Sequence, residues 1–390
     1  MVGCSFFSGH INPAEIGPVP PPVSPASQRE IKDAIGRGVA FLVQRQNGNG
    51  SWGSPGEQQD YMVICPVPGG HMAFRAATTA LCVLALIEAK SDVPGATEAL
   101  ERGEDWLIEN LPEVRLSSER IMYNNWAHGF GTQALARMLK ERPLSAERRR
   151  SVVAEIEGQF QRLKRYQHLD GGWGYYSWGY IAGRTPAAAT TFTTAVVLVA
   201  MREALEAGAS PPQGLAETAL RELKKQRKPD FSYSYYFGSA RRSPMYELNL
   251  APASLGRTQT CNLAMRLWGD KATTDAVIRA WLNRLFARDG WLSMSRKQQF
   301  PHQGYFRIAA YFFYQGHYHA AHCIHLLPPE ERPFFQDQLA HVLLPLQEKD
   351  GSWWDFALYD YHQQYGTAYA IMALGRCLRS DASADDDGGP

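Results

Sequence analysis

The chain lacks paired cysteines. Its six, Cys4, Cys65, Cys82, Cys261, Cys323 and Cys377, are scattered with no CxxC pair and no regular spacing. Cys82, Cys261 and Cys377 fall within apolar helical stretches, which favours buried free thiols over a disulfide framework. It also lacks an excess of charge: 40 basic side chains face 39 acidic ones, so nothing electrostatic attracts nucleic acid. No run of 18 or more apolar residues occurs, and the longest candidate, Ala187 to Met201, is broken by four threonines, which argues against a membrane span. What is abundant is core material, with 45% hydrophobic and 12% aromatic residues in a chain of 390. That length usually means two domains, but a closed repeat array can make it one.

Repeats organise the sequence. The stretch Gln347 to Gly375 opens with Gln347, Gly351 and Trp353 in the spacing QxxxGxW, passes an aromatic loop and ends in a small-residue apolar helix. The same unit recurs at Gln46, Gly50 and Trp52, and at Gln167, Gly171 and Trp173. Amphipathic helices alternate with nearly all-apolar partners, the second kind being buried all round. The predicted pairs begin at Glu30 with His71 to Ala89, then Thr97 to Asn110 with Trp126 to Glu141, and Ser145 to Arg165 with Ala187 to Leu205. They continue with Gly214 to Arg227 and Arg257 to Leu267, then Thr274 to Ala287 and His317 to Leu327 through Asp289, Gly290 and Trp291, and end with Pro333 to Gln347 and the opening stretch. Neither terminal repeat carries a polar cap, so the array is expected to close, giving an all-α, single (α/α)6 toroid. In each turn the Gly permits positive φ, the Trp lies against the next outer helix and the Gln amide satisfies a helix-end group. Gln347, Gly351 and Trp353 then close the ring onto the first repeat.

Three segments follow. Residues 1–27, with Pro18, Pro20, Pro21, Pro22 and Pro25, read as a flexible or extended tether; residues 28–378 form the toroid; residues 379–390 form a disordered acidic tail. No complete signal peptide is present, which suits a cytoplasmic or membrane-peripheral protein. The alternative is an extracytoplasmic lipoprotein anchored at Cys4, since Val2, Gly3 and Cys4 resemble a lipoprotein start whose signal peptide was lost to a late start codon.

The motif residues carry a resemblance. Arg37, Gly38, Phe41, Leu42, Gln46, Gly50 and Trp52 resemble the full QW repeat of squalene-hopene and oxidosqualene cyclases, and the other two turns match its core. Over about residues 28 to 378 the chain is similar to a toroidal domain of the terpene cyclase and protein prenyltransferase superfamily. The resemblance implies carbocation chemistry begun by the middle Asp of a DxDD motif, which is missing here. The only clustered aspartates, Asp385, Asp386 and Asp387, lie in the tail, and DDxxD is missing too. The prenyltransferase zinc ligands are also replaced: Gln315, Gly316 and His317 stand where the Asp and Cys would be, and Gly366 where the His would be. His317, His319, His322 and His325 form a cluster whose helical spacing reaches a common metal point poorly. No cofactor and no metal is expected.

Aromatic residues gather in the loops and inner-helix starts that a toroid brings to one end. Their ring faces attract a carbocation by about 0.5–2 kcal/mol each without offering a strong nucleophile. The expected substrate cavity comprises His71, Arg75, Tyr123, Trp126, His128, Tyr176, Trp178, Arg184, Tyr314, His317, Tyr318, Trp354, Tyr361 and Tyr365. Asp360, His362 and Asp355 are the expected catalytic residues, with Asp360 holding the tautomer of a His362 that protonates the substrate. The sequence therefore points to a cyclase-like toroid acting on a hydrophobic, isoprenoid-like small molecule, with membrane-surface association a corollary and a proton donor other than DxDD. The competing reading is a non-catalytic toroid that binds a hydrophobic ligand or a protein. Glycoside hydrolases also use such barrels but need two carboxylates flanking the scissile bond, whereas Asp355 and Asp360 come from one loop.

Overall fold

The computed structural model describes residues 17–56, 68–118, 121–176, 189–235, 246–304 and 306–379. Ser27 starts the first helix. Its hydroxyl accepts from the Glu30 backbone while the Glu30 carboxylate accepts from the Ser27 backbone, a reciprocal cap. Among the described residues thirteen α-helices follow: α1 Gln28–Gln44, α2 Pro68–Ala89, α3 Ala96–Asn110, α4 Asn124–Glu141, α5 Ala146–Tyr166, α6 Thr191–Glu206, α7 Leu215–Gln226, α8 Leu255–Leu267, α9 Asp275–Ala287, α10 Asp289–Ser293, α11 Phe313–Leu326, α12 Arg332–Leu343 and α13 His362–Gly375. Apart from the short α10 they alternate as the periodicity predicts.

The apolar helices form the inner layer. α2 packs on α4, α4 on α6, α6 on α8, α8 on α11, α11 on α13, and α13 returns to α2, so the layer closes on itself. α1, α3, α5, α7, α9 and α12 lie outside, packed on α13, α2, α4, α6, α8 and α11 respectively. The all-α toroid is thus the observed fold. α2 is long and apolar enough to cross a bilayer, with an 18-residue stretch of mean hydropathy 1.6 inside Gly69–Ala89, but most of that stretch is buried against its neighbours. Cys82, Cys261, Cys323 and Cys377 are buried free thiols.

The Gln-Gly-Trp turns are three copies of one joint. In each, the Trp indole N–H donates to the outer helix just completed, at Leu42, Leu163 and Leu343 (2.7, 2.8 and 2.9 Å). The Trp backbone N–H donates 3.0 Å to a threonine hydroxyl on the inner helix, Thr79, Thr194 or Thr367. The Gln amide reaches forward to the next outer helix, at Ala99, Leu215 and Ala34. The last of these, 2.9 Å from Gln347 to Ala34, joins the end of the array to its beginning. Arg37 and Gly38 serve this closing joint: Arg37 donates to Gln347 Oε1, and a Cβ on Gly38 would lie 2.9 Å from the Trp353 ring. Arg102 and Gly103 stand in the same way to Gln46 and Trp52.

Two turns differ from expectation. Asp289, Gly290 and Trp291 form no such joint; they lie in α10, where Trp291 packs on Phe306 with ring centroids 4.8 Å apart. The turn after α7, in contrast, keeps the joint with other residues. Arg227, Phe231 and Tyr233 occupy the Gln, Gly and Trp positions, Phe231 takes a φ of 61°, and the Lys228 N–H to Ser232 bond of 2.8 Å matches Asn47 to Ser51 at 2.9 Å. The described part of the N-terminal segment is held down, with Gln338 on α12 donating to the Pro21 carbonyl at 2.5 Å.

Candidate functional site

Residues at the N-terminal parts of the inner helices surround a cavity of about 250 Å³. α2 contributes Phe74, Ala77, Thr78 and Leu81, α4 contributes Trp126 and Phe130, and α13 contributes Tyr365 and Tyr369. Loops and helix starts add Tyr123, Tyr175, Tyr176, Pro301, His302, Tyr311, Gln315 and Leu358. The other end is closed by charge: Arg137 pairs with Glu88 at 2.7 Å and Glu203 at 3.0 Å, and Arg376 pairs with Glu88. These groups stand at the C-terminal ends of α4, α2, α6 and α13. The inner helices therefore run parallel, with an aromatic mouth at one end and an ion-paired floor at the other.

Of the residues expected to line the cavity, Tyr123, Trp126, Tyr176 and Tyr365 do so. Trp178 and Arg184 lie outside the described residues. The others have different surroundings. His128 is buried between α4 and α5, its Nδ1 2.7 Å from Gln159 Oε1 and its ring stacked on Tyr166, and burial pushes it down to about 3. His317 donates from Nδ1 to the Phe313 carbonyl at 2.7 Å, with Nε2 3.2 Å from Asp289 Oδ1, on the side of α11 that faces the outer layer. Tyr318 and Tyr314 are buried, Tyr318 accepting from Gln133 at 3.2 Å and Tyr314 donating its backbone N–H to Asp355 at 3.3 Å. Tyr361 is buried with its hydroxyl 3.4 Å from His71 Nδ1, Arg75 donates to the Gly53 carbonyl at 3.3 Å, and Trp354 carries the Lys297 ammonium over its ring at 4.1 Å. The remaining histidines of the cluster diverge, His319 to Thr260 at 3.0 Å, His325 to the Arg376 carbonyl at 3.0 Å, and His322 packed edge-on against Tyr318 with ring centroids 4.8 Å apart.

The expected Asp360–His362 pair is not formed. Asp360 faces outward to Arg45 at 3.0 Å, whereas His362 Nδ1 donates to the Tyr359 carbonyl at 2.9 Å. The two are neighbours in sequence, but the start of α13 turns them to different partners. Asp355 is the buried carboxyl. It is fully excluded from solvent, and no ion pair to it is formed among the described residues. It accepts from the Tyr365 hydroxyl at 2.9 Å and from the Tyr314 backbone. Burial pushes it up to about 7, against the lowering effect of those donors. Asp355 does not itself line the cavity; Tyr365, which does, connects it to the interior.

The sequence reading passed over part of the wall: Phe74, Leu81, Phe130 and His302. For the first three the signal was present as helical spacing at inner-helix starts, Phe74 with Ala77, Thr78 and Leu81, and Trp126 with Phe130. Of the prenyltransferase ligand positions, Gly366 accepts no side chain, since a Cβ there would lie 2.4 Å from the Trp353 carbonyl. The other two do not converge: Gln315 lines the cavity while His317 meets Asp289.

By sequence the chain matches no protein-family model and no curated protein. By structure it is similar to an unsaturated glucuronyl hydrolase from Streptococcus agalactiae, with TM-score 0.56 and 12% identity over 91% of this chain and 93% of that one. It is also similar to an alpha-1,6-mannanase of Salegentibacter (TM-score 0.52, 11% identity, 90% and 99% covered) and to a type II terpene cyclase from Scytonema (0.50, 15%, 90% and 97%). At such identities the likeness is one of fold alone, the α/α toroid.

Proposed function

We propose that the protein is a terpene-cyclase-like enzyme that folds a hydrophobic, isoprenoid-like substrate inside the aromatic cavity and protonates it from the Asp355–Tyr365 pair. The observation that carries this reading is the pair itself: a buried carboxyl raised to about 7, joined at 2.9 Å to a phenol of the cavity wall. When protonated, Asp355 passes its proton to the Tyr365 oxygen as the Tyr365 proton moves to the substrate. Tyr365 stays a neutral phenol throughout, consistent with burial raising it well above its ordinary value. The aromatic wall then stabilises the cation, and loss of a substrate proton after ring closure restores the acid. A glycosidase reading has less support, because no carboxylate lines the cavity among the described residues.

A non-catalytic ligand-binding reading is favoured by one observation, that a carboxyl near 7 is a weak acid for this purpose. Incubation with squalene, geranylgeranyl diphosphate and farnesyl diphosphate, with products read by mass spectrometry, separates the two. The enzymatic reading expects cyclised product from one of them and a loss of about 10²–10⁴-fold for Asp355→Asn. Binding without product by the unaltered protein overturns it in favour of the binding protein.

A further inference from the structure

The cavity wall holds a second polar group that the acid does not use. The hydroxyls of Tyr175 and Tyr235 are in short hydrogen-bond contact, those of Tyr235 and Tyr311 are 3.4 Å apart, and both Tyr235 and Tyr311 lie 3.4 Å from His302 Nε2. His302 Nδ1–H donates to the Arg307 carbonyl at 2.8 Å, which leaves Nε2 as an acceptor. Tyr175, Tyr311 and His302 line the cavity, and Tyr235 sits buried behind them. Under Tyr235 lies Arg257, buried, with its guanidinium 5.5 Å from the ring centroid. Its N–H groups are taken by the carbonyls of Tyr233, Ala253 and Leu248, and it forms no ion pair to a carboxylate among the described residues.

A buried cation held only by carbonyl dipoles leaves its charge uncompensated, so its surroundings favour an anion. A cation against the face of a phenol also withdraws density from the ring and makes its hydroxyl a stronger donor. Three phenols supply protons, one imidazole supplies an acceptor shared by Tyr235 and Tyr311, and no acid is present in the lining among the described residues to repel an anion. No arginine or lysine lines the cavity among the described residues either, which suits a singly charged carboxylate better than a diphosphate.

We propose that Tyr175, Tyr235, Tyr311 and His302, backed by Arg257, form a head-group subsite for a carboxylate carried by an otherwise hydrophobic ligand. The subsite rests on the reading that the cavity takes a hydrophobic ligand. On binding, the Tyr175 and Tyr311 hydroxyls turn from their internal partners to the carboxylate oxygens.

The test is isothermal titration of the full chain with three probes that share one fifteen-carbon body: farnesoic acid, farnesol and farnesene. The subsite predicts that the acid binds at least about tenfold tighter than the hydrocarbon, and that Tyr311→Phe and Tyr175→Phe each weaken the acid about tenfold with farnesene affinity kept. Equal affinity for the three probes, or Phe variants that weaken all three alike, overturns the subsite and leaves the hydrophobic-ligand reading standing. No binding of any probe overturns both. The three-probe comparison on the unaltered chain is decisive even where a variant folds poorly.

Discussion

Asp355 and His128 show how burial alone gives two residues opposite pH behaviour. Asp355 has a folded-state value near 7 against about 4 unfolded, so the native state binds the extra proton between those values. Its contribution to stability is therefore lost as pH rises from about 4 to about 7, on the order of 4 kcal/mol. Asp355→Asn removes this dependence: urea unfolding should find the variant more stable than the parent at pH 8, with the advantage gone at pH 4. The opposite ordering would mean the carboxyl is ionised and compensated in the fold. His128, near 3 when folded, acts in the other direction, its contribution being lost as pH falls below its unfolded value. Sequence put Asp355, Asp360 and His362 in one aromatic loop and paired Asp360 with His362. Only packing separates the carboxyl beneath Tyr365 from the one that faces Arg45.

At the level of the element, the Gln-Gly-Trp joint explains why its residues are readable at all. Each position answers a backbone demand that recurs with the repeat, so identity and spacing survive in the sequence. Gly351 has a φ of 89°, and a Cβ there would lie 2.6 Å from the Arg37 carbonyl; Gly208 has a φ of 95° with nothing within 4 Å. Gly208→Ala should therefore cost about 1 kcal/mol of backbone strain, and Gly351→Ala at least roughly twice that because the ring-closing contact must also open. Equal midpoint shifts in urea would contradict the joint as described. The turn at Arg227, Phe231 and Tyr233 escaped a search by identity because Phe231 holds the positive φ that glycine holds elsewhere. Asp289, Gly290 and Trp291 carry the Gly and Trp of the motif without its Gln and without the residue between them, and they sit inside a helix and meet no such demand.

Across the whole molecule, alternation and the lack of polar terminal caps were enough to read a closed all-helical ring, since both follow from how much apolar surface each helix must bury. Which loop residues reach the interior was not readable, because that depends on how each crossing aims a side chain. His128 and His317 lie on inner helices yet face the outer layer. The parallel inner helices also leave one end to be closed by ion pairs. Arg137 bridges Glu88 and Glu203 there, so Arg137→Leu should lower stability by about 3–5 kcal/mol by leaving Glu203 without its cation, while Glu88 keeps Arg376. An unchanged denaturation midpoint would show the floor to be dispensable. The central claim concerns the opposite end, where the proton delivered to substrate comes from the exchangeable Asp355–Tyr365 pair. The most direct measurement is the mass of the cyclised product formed in deuterated water: the account predicts incorporation of one deuterium by the unaltered protein and loss of that product with Asp355→Asn. A product without deuterium, or one formed undiminished by the Asn variant, would contradict it.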